Sequence, residues 1–159
     1  MNLDDVRRWN VDALDAQITS LANRVTLVGQ EAADVSFTRT SIREWTGSAA
    51  VEAFLRFDEL DRTLLQGRTR DNEVLRRWRA DLASLEAIKE RLARLDQSVE
   101  EAGLKMDNIG QITATAGDPS PGVDITQLER DAESILAAAT ALDTSAAATF
   151  TAVSNGTLL

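Results

Sequence analysis

The side chains with the most obvious chemical reach in this sequence are carboxylates. They gather at Asp58, Glu59 and Asp61, and again at Glu129, Asp131 and Glu133. Paired carboxylates can move protons or hold a divalent cation. Both groups fall inside helical patterning, where the plainer reading is a solvated helix face. Di-iron bundles use Glu-x-x-His from facing helices, and this chain has no His and no Cys. That removes the usual ligands for zinc, haem and iron–sulfur clusters. It also removes the commonest general base at neutral pH and any thiol nucleophile. Asp107-Asn108 with Gly110 looks like part of a calcium loop, but the spaced ligands and closing Glu are missing. No Gly-rich phosphate loop, G-x-S-x-G elbow or dinucleotide fingerprint occurs. The expectation is a protein with no catalytic residue, no metal site and no cofactor.

Arg76-Arg77-Trp78-Arg79 is a second chemical candidate, since interleaved Arg and Trp can stack on bases or bind acidic partners. On a helix, however, Trp78 falls in the apolar stripe and the arginines fan around it. Glu73 with Arg77, and Glu90 with Arg94, are opposite charges at i,i+4. They indicate a mixed surface. With 17 Lys and Arg against 26 Asp and Glu, the formal charge is -9. That argues against non-specific nucleic-acid binding, which needs a basic surface to release counterions. It equally disfavours electrostatic docking on anionic lipid.

The elements that would position these groups are helices. The chain has 159 residues, 43% hydrophobic and 4% aromatic, enough for a core and the size of one domain, 1–159. Its small side chains are mostly Ala, which suits helices packed along narrow seams. Residues 1–9 read as a short lead-in with about one helical turn. Asn10 is a good N-cap, and Leu14, Ile18, Leu21, Val25, Val28, Ala32 and Val35 follow at spacings of 4, 3, 4, 3, 4 and 3. That heptad stripe predicts a helix over 11–42, roughly 45 Å long. Gly29 within it weakens the helix but lets a neighbouring backbone approach.

Trp45-Thr46-Gly47 then breaks the pattern. Gly47 can take a positive φ and stop one helix, and Ser48 can cap the next, with Glu52 near its start. A connection this short favours an antiparallel hairpin. The second helix is expected over 49–102, roughly 80 Å if continuous. Val51, Phe54, Leu55, Leu60 and Leu64 begin its apolar positions; Leu75, Trp78, Leu82, Leu85, Ile88, Leu92, Leu95 and Val99 continue them. Residues 67–73 contain no apolar side chain and fit a continuous helix, a bend or a break; the absence of Pro favours continuity. Gly103 is its stop. Short runs around Asn108-Ile109-Gly110 predict a small β-hairpin over 104–115, and 117–122 reads as a loop. Thr126 with Glu129 suggests a capping box for a third helix over 125–155, with Leu128, Ala132, Ile135, Ala139, Leu142, Ala146 and Val153 as its stripe and Asn155-Gly156 as its end. The fold class is all-α: an elongated antiparallel helical hairpin with a Trp-X-Gly turn, a third long helix, and a small β-hairpin between helices 2 and 3. The seam residues expected to pack are Leu14, Ile18, Leu21, Val25, Val28, Trp78, Leu82, Leu85, Leu92 and Leu95.

A Trp-X-Gly turn between two amphipathic helices resembles the WXG superfamily of type VII (ESX) secretion substrates. The chain looks closest to the longer N-terminal helical domains of actinobacterial secreted proteins. The resemblance covers most of the chain, but Trp45-Thr46-Gly47 is its one sharp motif. It implies a non-catalytic substrate or targeting domain whose hairpin pairs with a WXG-type helical hairpin or with itself as a homodimer, and is read by the secretion machinery. Trp45 would help form a groove near the turn; the plainer reading is that it plugs the end of the seam. The family's Tyr-x-x-x-Asp/Glu signal is missing, because there is no Tyr. Phe54-x-x-x-Asp58 and Phe57-x-x-x-Asp61 share its spacing but follow the turn too early, and read as core and solvated faces. Export would then rely on a partner or on a signal elsewhere in a longer polypeptide. The acidic N-terminus has no apolar h-region of a cleavable signal peptide, and no apolar run approaches the roughly 20 residues of a membrane span. The implied location is the cell surface or exterior after a cytoplasmic stage. Two other readings stand beside this one: an intracellular helical scaffold that oligomerises through apolar seams, and a membrane-acting effector.

Overall fold

A computed structural model describes residues 1–115 and 122–155. The loop expected over 117–122 lies outside the described residues except for Gly122, as does Gly156. The chain is mostly helical, and the described residues form four α-helices, one 3-10 turn and one two-stranded sheet. In order these are α1 (Leu3–Arg8), α2 (Val11–Ser41), a 3-10 turn (Ile42–Glu44), α3 (Ser48–Glu101), β1 (Leu104–Met106), β2 (Ile112–Ala114) and α4 (Ile125–Ser154). Residues 67–73 continue as helix within α3. The strands pair antiparallel with Leu104 opposite Ala114, Lys105 opposite Thr113 and Met106 opposite Ile112.

Two compact units are present. One comprises Met1–Leu14 and Ala80–Phe150; the other comprises Asp15–Arg79 and Thr151–Leu159. The first has a continuous apolar core of Leu3, Val6, Ile88, Leu92, Leu95, Val99, Ala102, Leu104, Ile112, Ala132, Ile135 and Ala139. Its main departure from the sequence reading is at the N-terminus. The helical turn expected in 1–9 is α1, but it also enters the core: Leu3 and Val6 are 0% exposed, and burying such side chains contributes roughly 1.5–3 kcal/mol each. Asn2 caps α1 in a reciprocal box with Asp5. The Leu3 amide donates to the Asn108 carbonyl at 2.9 Å. Lys89 Nζ donates to the carbonyls of Arg7 and Trp9 at the other end of α1, where a cation also suits the helix dipole. Arg7 forks onto Asp96, and that hydrogen bond chiefly raises the guanidinium pKa.

Local signals act as their chemistry dictates. The Asn10 side chain accepts from the Ala13 amide. Gly103 takes φ 70 and ends α3. The Asp107 carboxylate accepts the amides of Ile109 and Gln111, so it shapes a turn. The proposed capping box of α4 is corrected. Asp124, not Thr126, caps it by accepting from the Gln127 amide. Glu129 is diverted to the Ile112 amide at 3.2 Å, satisfying a strand donor that faces α4.

The α4 stripe is also amended: Leu128, Ala132, Ile135, Ala139 and Leu142 are buried or half-buried, but Ala146 is exposed and Thr149 is buried. No unbroken apolar run of membrane-spanning length occurs, yet α4 meets a looser criterion of length and composition. α4 reaches a mean hydropathy of 1.2 over 18 residues, long and apolar enough to cross a membrane by length and composition, with 17% of that window buried. Many Ala and Thr side chains spread weak apolarity over the helix, and a search for unbroken strongly apolar runs passes over it.

In the second unit Ile18, Leu21, Val25, Ala32, Ile42, Ala50, Val74 and Leu75 are buried. Of the apolar residues expected to open the second helix, Phe54 and Leu64 are half-buried, whereas Val51, Leu55 and Leu60 are exposed. Gly29 makes room for a side chain rather than a backbone: a Cβ there would meet the Arg68 guanidinium carbon at 3.4 Å. Arg76 and Arg77 both donate to Glu73. Hydrogen bonds from Arg76 first, then Arg77, pull its carboxyl from 4.5 down to about 2.

Two measurements check this description. Gly110 has φ +89 and a Cβ there would sit 2.7 Å from the Ala132 Cβ, whereas Gly67 has open space. Urea unfolding of Gly110→Ala should show a loss of roughly 1–3 kcal/mol, and Gly67→Ala a gain of roughly 0.5–1 kcal/mol. For Glu73 the folded pKa is the depressed one, so its stabilising effect is complete above about pH 4.5 and is lost as pH falls toward 2. A carbon-detected NMR titration should find its midpoint near 2, moving toward the ordinary value in Arg76→Gln.

Candidate recognition turn

The apolar register of α2 leads to the turn. Continuing the heptad beyond Val35 places Arg39 and then Ile42 on the same stripe. Ile42 is buried. The Trp45 amide donates to the Ile42 carbonyl at 3.1 Å, closing the 3-10 turn that follows α2. Gly47 adopts φ 99, a conformation that side chains with a Cβ rarely take. Its carbonyl accepts from the Val51 amide, so Gly47 occupies the cap position expected of Ser48, and Ser48 is the first residue of α3. Glu52 pairs with Arg56 instead of the helix start.

This backbone leaves Trp45, Thr46 and Gly47 exposed, with Trp45 63% exposed. The indole therefore does not plug a seam. Phe37, one helical segment before the turn, is 76% exposed. Val51 and Leu55 lie just after it and are also exposed. Isolated exposed apolar residues are ordinary on a protein surface; here four large ones lie within 37–55, on either side of the turn in sequence.

Beneath the turn lies a polar layer that was not anticipated. Arg39 donates to Asp58 at 2.9 Å and lies 3.2 Å from Asp61. Asp58 also accepts from Arg62. Asp61 is 8% exposed, which corrects its reading as part of a solvated face. The Nε of Arg39 is buried with no hydrogen-bond partner among the described residues. Farther from the turn, Arg24 meets Asp71 at 2.9 Å. The signal for this layer was present in the sequence: Arg39 falls where the stripe calls for an apolar residue.

The expected seam residues divide between the two units. Ile18, Leu21 and Val25 are buried in the second unit, with Val28 and Trp78 half-buried there. Leu92 and Leu95 are buried in the first, with Leu14, Leu82 and Leu85 half-buried. Of the ten, Leu92 and Leu95 belong to the apolar core of the first unit. The remaining carboxylates stay apart: Glu59 lies 4.0 Å from Arg56, Asp131 accepts from Gln127, and Glu133 is exposed. Among the described residues no group of three acidic side chains is placed to hold a metal ion.

The chain matches no known family, no curated protein and no solved structure.

The Arg39 layer gives a direct test. Arg39→Met leaves the Asp61 carboxylate buried beside Asp58 without its cation, and should cost about 3 kcal/mol in chemical denaturation. Adding Asp61→Leu to that variant should recover most of the loss, since an apolar pair of similar volume replaces the ion pair.

Proposed function

We propose that the chain is a non-catalytic type VII secretion substrate or targeting domain that acts by protein–protein recognition through its Trp45-Thr46-Gly47 turn. The observation that carries this reading is the exposed Trp45, held at the junction of two long helices by a glycine at φ 99. In this reading α2 and the first part of α3 form an antiparallel hairpin. The ion pairs support that pairing, since residues later in α2 meet residues earlier in α3: Arg39 with Asp58 and Asp61, Arg24 with Asp71.

A partner hairpin or the secretion machinery would cover the indole and the apolar residues around the turn. Aromatic side chains are favoured anchors at such contacts, because they bury a large area at small conformational cost. The chain passes through the cytoplasm before export and has no role for a cofactor. Exposed Val51, Leu55, Leu60 and Leu65 on α3 favour a second reading, a helical scaffold that oligomerises in the cell.

Export separates the two. In cells with a type VII system, the protein should appear in the culture fraction and be lost from it when the secretion ATPase is inactive. Trp45→Ala should reduce export at least about tenfold, the order expected for loss of an aromatic anchor, with unfolding unchanged. Retention in the cell under every condition, with concentration-dependent oligomers by light scattering, supports the scaffold instead.

A further inference from the structure

We draw no further inference here: the strongest candidate, the exposed face of α4 along Ala137, Ala141, Thr144 and Ala148, is a stripe of small side chains, and nothing in the structure shows what covers it.

Discussion

Covering a narrow apolar stripe is the constraint on which this structure depends. Helices of 31 and 54 residues, as α2 and α3 are, gain most of their stability from what packs against one face. Leu, Ile, Val and Ala at alternating spacings of three and four provide that face. In one unit the stripe meets the core of Leu3, Val6, the β-hairpin and α4. There the small side chains decide the geometry: Gly110 lies so close to Ala132 that a methyl group would not fit. In the other unit the stripe is interrupted by charge. The half-buried Arg39 guanidinium is met by the carboxylates of Asp58 and Asp61, which offset the cost of taking its charge partly out of water. A polar group at a stripe position is a known way to specify register at some cost in stability.

The same layer bears on the turn. Just beyond Arg39, α2 ends at Ser41 and the buried Ile42 opens the 3-10 turn. The chain then has only a 3-10 turn and a few residues before α3 begins. Gly47 makes this possible through its positive φ, and the shortness of the connection leaves Trp45 no interior to enter. Trp45 is 63% exposed, and the functional reading rests on that exposure.

Much of the helical architecture was legible because strong punctuation marks its ends. Asn10 starts α2, Gly47 separates α2 from α3, Gly103 ends α3, and the Asp107-to-Gly110 turn brings β1 to β2. The helix expected over 49–102 is α3, Ser48–Glu101, since no residue in 67–73 forbids a helix even though none is apolar. What escaped the sequence depends on contacts between distant residues. Six residues of α1 are too few to display a period, so the complete burial of Leu3 and Val6 could not be seen. Glu129 carries an ordinary capping spacing, but the Ile112 amide claims its carboxylate. Asp61 looks like any surface acid until Arg39 is placed beside it. The turn motif was conspicuous in the sequence; the exposure of Trp45 and of the apolar residues to either side of it was not, because exposure is not a local pattern.

The central claim is that the exposed turn is a recognition surface. The most direct measurement is site-specific photocrosslinking in exporting cells, with a benzophenone amino acid at position 46 and, as a comparison, at position 133 on α4. The account predicts adducts at position 46 with a helical partner or a component of the secretion apparatus, and few or none at position 133. Export that proceeds without any adduct at position 46 would contradict it.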